Sequence, residues 1–173
     1  MNSVLLKNIF RFIFLIAIQG LALKRVNLGG DDYNFISVFL YPIFIMLLPL
    51  ALPRGLLVLV GFLVGIVVDY FYNTWGINAA TCVFTAFMRP VILNLIEPAG
   101  GFKDAVAPTK RKFGFLWFIR YAAIFMFVHC LFFFSVEEFT LYYWDKILLR
   151  TIPSFIFSFI IVMIYSFIFD SSE

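Results

Sequence analysis

Six apolar runs, each approaching the roughly 20 residues needed to cross a bilayer's hydrocarbon core, follow one another with little between them. They cover about residues 5–23, 35–52, 56–71, 77–95, 115–135 and 152–169. Backbone N–H and C=O groups in lipid must be satisfied within the protein, and long apolar runs do this most directly as helices. Composition points the same way: 64% of the 173 residues are hydrophobic and 13% charged, where a soluble domain is nearer half and a quarter. The expectation is an all-α membrane protein, a single domain over 1–173 forming a six-transmembrane-helix bundle. That leaves no room for a separate soluble catalytic module.

The connections are mostly short. Lys24 to Asn34 is a polar loop holding Gly29, Gly30, Asp31 and Asp32, and Pro53-Arg54-Gly55 turns the second run into the third as an antiparallel hairpin. Pro42 and Pro49 predict kinks in the second run. Arg89-Pro90 blurs the end of the fourth, because a residue before proline is pushed out of the helical region. Glu97 to Lys112 is the longest polar segment, and Glu137 to Arg150 reads as an amphipathic, aromatic connection suited to a headgroup interface. The first run, with Lys7 and Arg11 at its start, is expected to be an uncleaved signal anchor.

Orientation follows from the distribution of Lys and Arg. Lys7, Arg11, Arg54, Arg89, Lys103, Lys110, Arg111, Lys112 and Arg120 fall on one side, against Lys24, Arg25, Lys146 and Arg150 on the other. Nine against four predicts that both termini of this multi-pass protein are cytoplasmic. The turn between the third and fourth runs then lies outside.

Polar residues inside the runs are the candidates for function. Gly61, Gly65 and Asp69 are spaced four apart, one helix stripe of two small residues leading to a carboxylate. Gly76 and Asn78 then turn the chain into a run opening on Ala79 and Ala80. Small residues admit a neighbouring helix closely, and an intramembrane carboxylate needs a partner. The stripe is therefore assigned to helix packing or to contact with a protein partner. Arg89 lies about twelve helical residues, roughly 18 Å, from the level of Asp69, too far for a direct pair. It is expected to snorkel to inner headgroups, as is Arg120. Lys110, Arg111 and Lys112 form a basic cluster suited to anionic lipid or a cytoplasmic partner. His129, the only histidine, reads as a buried residue bonded to a neighbouring helix, with a proton relay as the alternative. Gln19, Asn78 and Asn94 are interhelical hydrogen-bond candidates. Cys82 and Cys130 read as packing residues.

No cluster of histidines with carboxylates, no Ser–His arrangement and no phosphate-cradling loop is visible. Neither catalysis, nor a metal, nor a cofactor is expected, and three cations beside a membrane do not make a nucleic-acid site.

Gly61-x-x-x-Gly65-x-x-x-Asp69, followed by Gly76-x-Asn78-Ala79-Ala80, resembles the MreD family of rod shape-determining membrane proteins, and Met88-Arg89-Pro90 fits some of its bacterial members. The six-run layout with both termini inside covers the whole chain. The resemblance implies a non-catalytic scaffold of the cell-wall elongation machinery. It would bind an MreC-like single-span protein and through it connect to MreB, RodA and a penicillin-binding transpeptidase. It also implies a fold similar to the substrate-binding subunits of energy-coupling-factor vitamin transporters. Membership of that transporter class is the alternative function. It would require a pocket with convergent polar side chains near the outer surface, for which Asp69, Asn73, Asn78 and His129 are the candidates.

Overall fold

A computed structural model describes residues 2–23, 36–98, 101–102, 107–139, 142 and 144–169. Lys24, Arg25, Gly29, Gly30, Asp31, Asp32 and Lys103 lie outside the described residues. The described chain is overwhelmingly helical. Helix α1 (Asn2–Ala17) continues as a π-helical turn (Ile18–Ala22), followed by α2 (Pro42–Met46), α3 (Arg54–Tyr72), α4 (Ile77–Leu95), α5 (Lys110–Phe113), α6 (Phe115–Glu138) and α7 (Trp144–Phe169). Helix α4 packs between α3 and α6, α6 packs on α7, and α2 touches α1, α3, α4 and α6.

Among the described residues, four helices, α3, α4, α6 and α7, are long and apolar enough to cross a membrane. They carry large apolar side chains outward, among them Leu59, Phe62, Leu63 and Ile66 on α3 and Ile156, Phe157, Ile160 and Ile164 on α7. Apolar surface on that scale suits lipid rather than water. The first run forms α1 and its π turn, with a shorter apolar stretch at Asn8–Leu21.

The second run departs from expectation: it is not a continuous spanning helix. Residues 37–40 have no regular structure, helix covers only Pro42–Met46, and the chain from Leu47 to Pro53 is irregular. Proline explains the break. Pro42 has no N–H to continue a helix from the preceding turn and sits where proline starts one. Pro49 and Pro53 prevent its extension. Every residue from Val38 to Leu48 is nonetheless buried. The segment is the centre of the protein, wrapped by the helices.

Two other boundaries differ or hold for local reasons. Helix α4 runs unbroken through Arg89 and Pro90 to Leu95, the expected extent. The expected Glu137–Arg150 connection shrinks, because α7 begins at Trp144, eight residues before the apolar run. Fully buried Ile147 and Thr151 anchor that first part of α7 to the bundle. Asn73 ends α3 in the left-handed region at φ 54, a conformation asparagine adopts more readily than most residues.

Candidate functional site: a buried polar seam

Asp69 is where the seam starts. Helix α4 begins after Gly76, whose φ of 88 is left-handed and which has no side chain to cap the exposed N–H groups. Asp69, one turn from the end of α3, does that work from outside the helix. Its carboxylate accepts the backbone N–H of Asn78 at 3.0 Å and of Ala79 at 2.9 Å, the two positions an N-cap side chain serves. It also accepts the Asn78 amide at 3.0 Å and the Thr74 hydroxyl. A negative charge at a helix N-terminus is favourable in itself. Three of these donors converge on Oδ1 and one reaches Oδ2, and Asp69 is only 7% exposed.

The glycines let α4 come close enough for this. A Cβ on Gly65 would lie 2.6 Å from the backbone N of Ala79 and from the carbonyl oxygen of Asn78, and one on Gly61 would lie 3.0 Å from the Cys82 carbonyl oxygen. Gly61, Gly65 and Asp69 all face α4 of the same chain. Ala79 is buried beside them, while Ala80 points outward.

From Asn78 the seam runs inward. Tyr41 donates its hydroxyl proton to Asn78 Oδ1 at 2.9 Å and lies 2.9 Å from His129 Nε2, and His129 Nδ1 lies 3.0 Å from the Thr85 hydroxyl. Both Asn78 amide protons go to Asp69 and Thr74, so its oxygen faces Tyr41 and takes that proton. His129 must then donate from Nε2, an assignment made by the network. From His129 through Tyr41 and Asn78 the donors point toward Asp69, while the Thr85 hydroxyl donates to the Thr81 carbonyl at 2.7 Å. His129 is fully buried, with Phe39 edge-on at 5.5 Å between ring centroids.

Side chains also replace the helix bonds that the central segment lacks. Gln19, in the π turn, donates to the Val38 carbonyl at 2.9 Å and accepts from Leu40 N at 2.7 Å. Its second amide proton goes to the Tyr72 hydroxyl at 2.7 Å. On the other flank, Ser154 accepts from Ser37 N at 3.0 Å and Ser158 from Phe39 N at 2.8 Å. The register is commensurate: alternate residues of an extended chain are roughly 6.7 Å apart, and residues four apart on a helix about 6 Å. Non-helical backbone at membrane depth persists only where protein satisfies it in this way or where it lines a cavity.

Arg89 corrects an expectation. It does not reach headgroups: it is 2% exposed, donating from Nη2 to the Leu48 carbonyl and from Nε to the Tyr121 hydroxyl at 3.2 Å. Tyr121 in turn donates to the Met46 carbonyl at 3.0 Å. The guanidinium thus sits at the carbonyl end of α2, where positive charge is favoured. Asn94 is exposed rather than interhelical, and Arg120 is exposed. In the basic cluster, Lys110 donates to the Ser166 carbonyl at 2.8 Å and lies 4.3 Å from the Phe167 ring centroid, which ties α5 to the end of α7. Arg111 and Lys112 are exposed.

At the end of the bundle that carries the α3–α4 turn, a cavity of about 290 Å³ lies between Gln19, the start of the central segment, Tyr72, Thr74, Asn78, Phe133, Glu137 and Arg150. Arg150 pairs there with Glu137 at 2.9 Å and Glu138 at 3.1 Å. Of the four pocket residues expected from sequence, Asn78 lines it. Asp69 stands behind Asn78 and Thr74, His129 lies deeper, and Asn73 caps α3. Among the described residues, no group of three His, Cys, Asp or Glu could hold a metal ion, and Cys82 and Cys130 are free and buried. Sequence reasoning named Gln19 and missed Tyr41, Tyr121, Ser154 and Ser158. The four-residue spacing of the two serines within an apolar run was the available signal.

No protein-family model, no curated protein and no solved structure matches the chain.

Proposed function

We propose that the chain is a non-catalytic membrane scaffold of the MreD kind. It crosses a bacterial cytoplasmic membrane six times, with both termini inside, and serves the cell-wall elongation machinery by binding an MreC-like single-span partner. One observation carries the non-catalytic part. The seam spends its polar groups on one another and on buried backbone: Asp69 on the start of α4, Gln19, Ser154 and Ser158 on the central segment, Arg89 on the end of α2. Groups committed in this way hold a shape. The amide protons of Gln19 and Asn78 and the hydroxyl protons of Tyr41, Tyr72 and Thr74 are already engaged within the protein, which supports a structural role. Because Gly61 and Gly65 are taken up by α4, the partner's span has to meet another face, and the outward side of α3 and α4 around Leu63, Ala80 and Phe87 is available to it.

Purification of the native protein in mild detergent, with identification of what accompanies it, tests this reading. A single-span protein with a large domain beyond the membrane, and loss of rod shape on depletion, are the expected results. A chain that purifies with an ATP-hydrolysing module instead overturns it. That outcome belongs to a second reading, an uptake subunit for a small vitamin-like solute, which the cavity favours.

A further inference from the structure

The end of the bundle opposite the α3–α4 turn carries cations that the fold leaves unpaired. Helix α5 is fixed there from two sides. Lys110 donates to the Ser166 carbonyl near the end of α7, and Phe113 packs on Trp117 at 4.6 Å between ring centroids. Trp117 in turn donates its indole N–H to the Ile96 carbonyl at 2.7 Å. Arg111 and Lys112 are thereby held, exposed, just before α6 begins at Phe115. A third cation, Arg120, is on α6 itself, roughly 7.5 Å along the axis from Phe115. It shares an exposed stripe with Leu116, one turn before it, and Phe127, two turns after. Helix side chains tilt toward the N-terminus of their helix, which turns Arg120 back toward α5. Among the described residues, no hydrogen bond or ion pair engages Arg111, Lys112 or Arg120, and the exposed acid at this end is Glu97.

We infer that Arg111, Lys112 and Arg120 form a docking site for an anionic phospholipid, with its phosphate among the three cations and its acyl chains along α6. Charge complementarity calls for an anion, and the planar fork of a guanidinium matches two phosphate oxygens at once. Arg120 decides in favour of a lipid. A cation on a stripe of Leu and Phe lies where hydrocarbon covers the helix, and an unpaired charge there is costly. A phospholipid supplies the counter-charge and the apolar cover together, whereas a soluble anion would leave Leu116 and Phe127 bare. The apolar surface continues onto α7: Phe115 meets Phe167 at 5.4 Å between centroids, and both are exposed, as is Ile168. The basic cluster expected from sequence is thus redrawn. Lys110 is committed to Ser166 and Arg89 is buried, and Arg120 joins the two cations that stay free. The assignment does not rest on the scaffold reading, and the two fail separately.

The probe is dioleoyl phosphatidylglycerol, titrated into the full chain in detergent and followed by native mass spectrometry, with dioleoyl phosphatidylcholine as the zwitterionic control. Phosphatidylglycerol is expected to bind saturably and at least about tenfold more tightly than the control. Arg111→Gln, Lys112→Gln and Arg120→Gln should each weaken it about fivefold, the fold-change that one cation's attraction to an anionic membrane surface gives. All three side chains are exposed, so the unfolding temperature without added lipid should stay the same and serves as the check on folding. Lys146→Gln, which removes an exposed cation at the opposite end, should leave the affinity unchanged. Glycerol 3-phosphate, which carries the phosphate without the chains, should not compete. Equal binding of the two lipids, full affinity in Arg120→Gln, an equal loss in Lys146→Gln, or full competition by glycerol 3-phosphate overturns the site. Capture of a single-span partner would be unaffected by any of these.

Discussion

At the scale of single residues, the stripe read from sequence is an interhelical joint with graded tolerance. Gly65 meets backbone atoms of α4 that cannot move without moving the helix, whereas Gly61 meets the Cys82 carbonyl and the Ala86 methyl at 3.0 Å. Gly65→Ala should therefore destabilise by about 2–3 kcal/mol and Gly61→Ala by about 1 kcal/mol, within the range for overpacking. Thermal unfolding followed by helical circular dichroism in detergent gives the order, and equal losses would show that α4 shifts to absorb both. Asp69→Asn keeps the shape but turns an NH2 toward N–H donors. A cost of about 1–3 kcal/mol is expected, and hydrogen exchange should rise first at Asn78 and Ala79.

At the scale of elements, the central segment is the feature least like an ordinary span. Its irregular backbone is held by Gln19, Ser154, Ser158, Arg89 and Tyr121 rather than by its own helix. Removing one side chain strands a backbone group, and the penalty depends on burial. Phe39 is 4% exposed, while Ser37 is half-buried and can recruit water. Ser158→Ala should cost about 1–3 kcal/mol and Ser154→Ala clearly less. A reversed order in denaturation would remove the serine ladder as a stabilising element. Arg89→Lys loses the fork that serves the Leu48 carbonyl and Tyr121 together. Its destabilisation should exceed that of Tyr121→Phe in the same measurement.

At the scale of the whole molecule, the proposed crossing pattern is open to cysteine labelling, because native Cys82 and Cys130 are fully buried and should stay silent. Trp75, wholly exposed at the α3–α4 turn, and Arg54, exposed at the start of α3, mark opposite ends of one helix. Trp75→Cys should react with a membrane-impermeant maleimide in intact spheroplasts, and Arg54→Cys only after permeabilisation. The opposite pattern would invert the orientation. Equal labelling of both in intact spheroplasts would mean that α3 does not span.

Sequence alone determined the solvent and the helical class. Long apolar runs cannot leave backbone groups bare in lipid, and period, length and turn residues placed α3, α4 and α6 close to where they lie. It also singled out the Gly61–Gly65–Asp69 stripe for helix packing or for a protein partner, since small residues admit a close helix and an intramembrane carboxylate needs donors. What it could not supply was the partner of each polar group. The second run's prolines read as kinks in a span, because hydropathy cannot tell an apolar helix from apolar chain buried among helices. Arg89 read as a lipid-facing cation, because nothing near it in sequence announces the Leu48 carbonyl 41 residues away. Which side chains replace missing backbone bonds depends on distances between elements, and only the tertiary structure sets those. The stripe's carboxylate was legible from the chain; that it caps the next helix was decided by packing.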